Sequence, residues 1–429
     1  MNFRDTAVDF SPRVLRVGRP ATVRIRPLFD HGRIMEGARV EAVMYERGTR
    51  RQQALDVRCE HGSCAVTFTP DVEQEYVLAV TATRAGQSPK REEFPLYAVA
   101  PDLFGVRPWK GDFHMHSSCS DGRESPAYVP AACRRIGLDF MALTDHRTYQ
   151  PSLDAVAAYA GVPVDLRMAP GEEVHPPDNP VHMVNFGGSV SVNALFTERE
   201  RYDLDIARLA AAVTAPLTAE EKLHYASCVW CFDQIRRSGG IGILCHPYWI
   251  TGNSFNISEA LQDAFYATPS FDALEVIGGF YRYQMEANAL AVARWQQRRA
   301  GGGDIPVVGV SDAHGCERDE LFGWYYTIVF ALTPEFVDVR EAIRAGQCVA
   351  VEAVPGEFPR IYGPFRLVRF AHFLMRDVFP LHDELCVEEG RLMRCHAAGD
   401  ASAAAALSAL SGRVEALYRR LWQPPTKMA

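Results

Sequence analysis

The stretch "KGDFHMHSSCSDG", residues 110–122, ends an apolar run with two histidines two residues apart and follows them with an aspartate. In a β-strand, residues i and i+2 project from one face, so His114 and His116 are spaced to share one metal ion. The same parity links Asp312 and His314 in "IPVVGVSDAHG", 305–315, another run with strand character. Two such pairs, each at the tail of an apolar run, point to a shared cation more than to packing.

Both runs lie in a region with its own grammar. From about residue 103 to 354, short apolar segments such as "GLDFMALTDH" (137–146), "VHMVNFG" (181–187), "GIGILCHPYW" (240–249) and "DALEVIGG" (272–279) alternate with helix-like stretches. Apolar runs that end in Gly and polar residues fit a mostly parallel sheet or barrel whose outer face is covered by helices. Barrel strands end in active-site loops, so each strand tail is a place to look. His146 closes "MALTDH", Glu173 lies in "PGEEV", His182 opens "HMVNFG" and His246 closes "ILCHP".

Outside this region the patterns differ. Residues 12–100 read as short strands rich in Val, Thr and Tyr with turns between them, which predicts a small antiparallel sandwich. Residues 355–429 read as mainly helical, with an Ala-rich stretch from 401 to 411. The expected organisation is a β-sandwich over 1–102, an α/β domain over 103–354 and a helical extension over 355–429.

Composition narrows the function. At 48% apolar and 23% charged, the 429 residues have the balance of a folded protein of two or three domains. The formal charge of −8 disfavours a surface built for a nucleic-acid backbone. The opening "MNFRDTAVDFSPRVLRV" has no apolar core of signal-peptide length and no run of eighteen apolar residues occurs, so a cytoplasmic protein without a membrane partner is expected. The eleven cysteines lack disulfide-framework spacing and are expected to be reduced. This includes Cys59 and Cys64, which flank a hairpin turn. Cys228 and Cys231 sit in a helical pattern with no second C-x-x-C and are expected to be buried apolar residues.

The order of motifs (H-x-H, S-D-G, T-D-H, G-x-E, H, H-P, D-x-H) over residues 108–354 resembles the PHP (polymerase and histidinol phosphatase) superfamily. That resemblance implies a distorted (βα)7 barrel with a trinuclear centre. It implies that His114, His116, Glu173 and Asp312 hold one ion, that Glu173 bridges to a second held by His182 and His246, and that Asp121, His146 and His314 hold a third. Asp121 stands where some relatives have histidine. His175, two residues past Glu173, is the main competitor for a ligand role. Glu172 is expected to be solvated or to support the ligands, and His224 to lie on a helix surface or in a helix interface.

Nine imidazole and carboxylate ligands without thiolate suit Zn, Mn or Fe. Three divalent ions against three carboxylates leave about three positive charges in excess, which attracts anions. A water bridging two ions has its pKa lowered from 15.7 toward ~7. The preferred reading is therefore hydrolysis of a phosphate ester, a phosphomonoester or small phosphodiester, by a bridging hydroxide. Glu173, Asp312, His314 and Asp145 are the expected catalytic group, Asp145 by orienting a neighbouring imidazole. Arg123, Arg147 and Arg282 are candidate phosphate forks, and Tyr248 with Trp249 a candidate aromatic wall. The small substrate is expected to be anionic, with short oligonucleotides a lesser option. One rival is a metal-dependent hydrolase of carbamates, amides or carboxylic esters, because the N-terminal β domain joined to this motif looks like a PHP branch that includes carbaryl-type hydrolases. A second rival is a non-catalytic metal-binding scaffold, against which the presence of all nine ligand positions counts.

Overall fold

A computed structural model describes residues 7–32, 35–318 and 321–424. The chain is mixed α/β and forms two compact units. One gathers the chain up to Arg107 with Arg369–His382 and the part from Gly412 on, and the other gathers Pro108–Val368 with Asp383–Ser411.

The first unit has a four-stranded sheet in the order Val8–Ser11, Ala21–Pro27, Ser63–Phe68, Val57–Glu60. Its five-stranded sheet runs Val14–Arg16, Lys90–Val99, Gln74–Thr83, Arg39–Glu46, Gln52–Leu55. Period-two alternation buries Ala21, Val23 and Ile25 while the intervening Thr22, Arg24 and Arg26 turn outward. Val23 and Val66 of one sheet join Leu78 and Leu96 of the other in a single apolar cluster. The pairing is antiparallel except for Val14–Arg16, which runs parallel to Lys90–Val99.

Cys59 and Cys64 form a disulfide, contrary to the expectation of reduced thiols. They are direct cross-strand partners with Cα atoms 4.1 Å apart, so the hairpin register itself brings the two sulfurs together. Cys228 and Cys231 are buried free thiols in the helix Ala219–Arg237.

The helices of 355–429 do not stand apart, because buried groups tie them to different units. Phe370 and Phe373 of the helix Phe365–Asp377 pack on Tyr97, with ring centroids 4.9 and 5.4 Å away. In the second unit, Glu389 accepts from the buried Arg134 at 2.6 Å and Asp383 pairs with Lys110.

The second unit has two sheets. The larger runs Arg167–Ala169, Phe140–Ala142, Arg107–Asp112, Tyr325–Ala331, Cys348–Glu352, Arg360–Tyr362, and the smaller Gly171–Val174, Met183–Phe186, Ile241–Leu244, Ala273–Ile277, Val307–Gly309. Parallel pairing is interrupted by Met183–Phe186, which is antiparallel to both its neighbours, and by the antiparallel strands from Tyr325 on. Past the strand ends, isolated parallel bridges join Met115 to Ala313 and His146 to Glu173, one from each sheet. The backbone N–H of Asp312 donates to the His114 carbonyl at 2.8 Å, and that of His116 to the Ala313 carbonyl at 3.0 Å. Among the described residues, no helix is long and apolar enough to cross a membrane.

Candidate metal centre

The bridged strand tails carry the candidate ligands. His114 and His116 follow Arg107–Asp112, His146 follows Phe140–Ala142, Glu173 lies in Gly171–Val174, His246 follows Ile241–Leu244, and Asp312 and His314 follow Val307–Gly309. His182 precedes its strand instead. Because Met183–Phe186 runs against its neighbours, its N-terminal end meets their C-terminal ends.

Glu173 is the hub. Its carboxylate is fully buried, with Oε1 2.9 Å from His182 and 3.4 Å from His246. Its Oε2 lies 3.6 Å from both His114 and His116, 3.3 Å from His175, and against His146. Asp312 Oδ1 is 2.9 Å from His116 Nε2 and 3.3 Å from His114 Nε2. Asp121 Oδ1 is 3.3 Å from His314 and 3.4 Å from His146. All nine expected ligands are therefore brought together, with His175 beside them.

The donor set fits cations. His114 Nε2, His116 Nδ1, His182 Nδ1 and Glu173 Oε2 are buried polar atoms whose contacts with neighbouring carboxylates and imidazoles are not aligned as hydrogen bonds, and an ion between them would satisfy them. Donor atoms of His116, Asp121, His146 and His314 lie within 4.8 Å of one another, as do those of His114, His116 and Asp312. Burial opposes charge on His114, yet the acidic groups around it, Asp312 foremost, hold its pKa well above the ordinary value. Burial likewise works against ionised Glu173, but His114 and the other imidazoles hold it well below the usual carboxylate range. Burial pushes His182 down to about 4.

Backbone geometry serves the same end. Arg147, His246 and Asp312 adopt left-handed φ values of 59°, 24° and 50°, which non-glycine residues rarely take. Gly122 allows the 117–122 turn to close, since a Cβ there would fall 2.4 Å from the His116 carbonyl oxygen.

Other expected residues sit elsewhere. Asp145 touches no imidazole. It is buried and accepts from Ser117 N–H (2.8 Å), Ser117 Oγ (2.7 Å) and Ser120 Oγ (2.5 Å), so it fixes the turn that carries Asp121. Glu172 is buried, not solvated, and accepts from Ser191, Asn193 and the Val192 N–H, pinning that loop behind the ligands. His224 faces the Asp178 carbonyl at 3.0 Å.

Arg282 is committed to Glu357 at 2.5 Å and the Pro355 carbonyl at 2.6 Å, away from the ligands. Arg123 and Arg147 are exposed and do not line the cleft over the centre. Tyr248 is buried against Phe280, Ala287 and Ala291, and Trp249 instead lines the cleft.

Two neighbours escaped the sequence reading. Glu275 Oε2 lies 2.9 Å from His114 Nδ1, and the Cys245 thiol lies among His114, Glu173 and His246. The signal for Glu275 was a single acid inside the apolar run "ALEVI".

No protein-family model matches the chain. Among curated proteins it is similar to the DNA polymerase/3′-5′ exonuclease PolX of Bacillus subtilis (strain 168), 40% identical over 58 residues. That segment is 14% of this chain and 10% of that protein. Among solved structures it is similar to a two-domain protein from Bacteroides vulgatus ATCC 8482 predicted to contain a PHP-like metal-dependent phosphoesterase. The identity is 21% and the TM-score 0.40, covering 58% of this chain and 66% of that one. A proposed metal-dependent phosphoesterase from Bifidobacterium adolescentis ATCC 15703 is 20% identical, with TM-score 0.34, over 54% of this chain and 95% of that one. An amidohydrolase from Chromobacterium violaceum is 19% identical, with TM-score 0.30, over 49% and 89%.

Proposed function

We propose that the chain is a PHP-type metal-dependent hydrolase that cleaves a small phosphate ester at a centre of three divalent ions, Zn, Mn or Fe. The ring of strands closed by the Met115–Ala313 and His146–Glu173 bridges is read as a distorted (βα)7 barrel. The observation that carries the function is the buried Glu173 carboxylate with six imidazoles about it.

In this reading His114, His116, Glu173 and Asp312 hold one ion, Glu173, His182 and His246 a second, and Asp121, His146 and His314 a third. Divalent ions held there supply charge stabilisation to a phosphoryl group and lower the pKa of water. The chain's own part is orientation. Glu275 directs His114, and Asp145 holds the turn bearing Asp121. The buried walls keep bulk water from the Glu173 side.

The test is activity and metal content together. Metal-loaded protein should hydrolyse phosphate monoesters, lose activity to a chelator and regain it on metal return. His116→Ala or Asp312→Ala should remove metal and turnover while leaving circular dichroism unchanged. Turnover of carboxylic esters or carbamates with no phosphate ester cleaved would overturn the phosphoesterase assignment.

A further inference from the structure

We infer that the β-rich unit carries a separate anion site, a groove of arginines that takes a linear phosphate chain, as found in a free oligophosphate or in the backbone of a nucleic acid. All of its residues belong to that one unit, and none is a candidate metal ligand. The inference therefore stands apart from the phosphoesterase reading above.

The groove is assembled by a seam between the two ends of the described chain. The backbone N–H of Arg13 donates to the Leu421 carbonyl at 2.7 Å and that of Gln423 to the Val14 carbonyl at 2.8 Å, so residues 421–423 run alongside Val14–Arg16. The Gln423 side chain completes the seam, since its Oε1 accepts from the Arg16 N–H at 3.0 Å and its Nε2 donates to the Pro20 carbonyl at 2.7 Å. Arg419 and Arg420, at the end of the helix Arg413–Leu421, are thereby brought to the same groove as Arg19 and Arg24. Its volume is about 500 Å³, and Trp422 also lines it.

Charge is concentrated there against the trend of the chain. Residues 8–27 and 412–424 hold eight arginines against one aspartate, Asp9, and one glutamate, Glu415, in a chain whose formal charge is −8. No carboxylate is among the described lining residues. Arg420 pairs with Asp9 at 2.5 Å and Arg419 with Glu415 at 2.9 Å, both acids lying outside the lining. Asp9 is shared with Arg26, 2.9 Å away, so one carboxylate serves two guanidinium groups. The side chains of Arg19 and Arg24 have no hydrogen-bond or ion-pair partner among the described residues. The buried indole N–H of Trp422 lacks an acceptor as well. Each of these three unmet groups is a donor.

A guanidinium offers a planar fork to two oxygens of one anion. Four of them around so small a groove repel one another, and a ligand that relieves this brings several negative charges within a short span. A linear phosphate chain does so, with acceptor oxygens along its whole length. A lone carboxylate would meet one arginine and leave the others opposed.

The experiment titrates inorganic tripolyphosphate, monophosphate and citrate into the full-length protein at low salt, followed by calorimetry. The protein is first freed of metal, so that the strand-tail centre does not hold phosphate. The expected result is one tripolyphosphate per chain, bound at least ~10-fold more tightly than citrate or monophosphate and weakening as salt is added. Arg19→Ala and Arg24→Ala should each weaken binding about tenfold, and Arg24→Lys should recover part of the loss, because charge returns without the fork. Both variants should keep the wild-type melting temperature. Metal-loaded, they should retain wild-type turnover of phosphate esters. ATP and a ten-residue oligothymidylate separate the two sources of the ligand: ATP matching tripolyphosphate assigns a free oligophosphate, and an oligomer tighter than both assigns a nucleic-acid backbone.

Citrate bound as tightly as tripolyphosphate would overturn the phosphate assignment. Absence of saturable binding, or binding that survives both substitutions together, would overturn the site. Tripolyphosphate binding with no phosphate ester cleaved by the metal-loaded wild type would instead sink the function proposed above and leave this site standing.

Discussion

Nδ1 of His114 lies 2.9 Å from Oε2 of Glu275, a carboxylate 161 residues further along the chain, and both side chains are buried. A carboxylate behind a ligand imidazole fixes the tautomer and turns Nε2 toward the metal. Glu275→Gln should therefore weaken metal binding by about 10- to 100-fold with little change in fold. Metal titration of apoprotein followed by calorimetry checks this, and unchanged affinity would show that Glu275 only fills space.

Metal uptake should release protons. In the apoprotein the acidic surroundings outweigh burial and raise the pKa values of His114, His146 and His246, so protons compete with the ion at neutral pH. Raising the pH removes that competitor, and affinity should climb until those raised values are passed. His182, pushed down to about 4, is already neutral and should not contribute near neutrality. Adding Zn²⁺ to weakly buffered apoprotein at pH 7 should acidify the solution, which a pH indicator reads directly.

Asp145→Ala should act at a distance from the chemistry. It removes three accepted hydrogen bonds from the turn that carries Asp121, at a cost of ~1–3 kcal/mol. The expected result is a lower metal stoichiometry and a modest fall in melting temperature. Full stoichiometry in the variant would mean that Asp121 is positioned without it.

The β-rich unit carries a separate pH signature in Asp377. Burial raises its pKa to about 6, above the value of an unfolded aspartate, although Arg376 works against the shift. A raised carboxyl pKa means that the folded state holds the proton more tightly. Its cost to stability is fully present above about pH 6 and is relieved as pH falls toward ~4. Asp377→Asn should gain on the order of 2 kcal/mol at pH 7 and nothing at pH 4. Denaturant titrations of both proteins at the two pH values measure the difference.

What the sequence could disclose follows from how local each signal is. All nine expected ligands do converge, and the H-x-H pair was legible because i, i+2 spacing is local. Strand parity does not account for the D-x-H pair: Asp312 lies beyond the strand Val307–Gly309 in left-handed backbone and meets His114 and His116, while His314 meets Asp121 and His146. The order and direction of strands were less legible. The reversal of Met183–Phe186 leaves no mark in an apolar run, although it explains why His182 comes before its strand. Side-chain commitments made across the chain were not readable. Arg282 is taken by Glu357, Asp145 by Ser117 and Ser120, and the partition between Tyr248 and Trp249 depends on a turn that buries one ring and leaves its neighbour at the cleft. The Cys59–Cys64 pair was visible as a hairpin, but its closure depends on a cross-strand register that composition does not report.

The left-handed backbone at Arg147, His246 and Asp312 sets a trade-off for anyone who wishes to toughen this scaffold. Glycine would sit in each of those turns at lower conformational cost, and at two of them it would delete a candidate ligand. Selection for heat tolerance alone would favour such replacements and hand back a sturdier, inert protein, so a library must be screened for metal retention at every round.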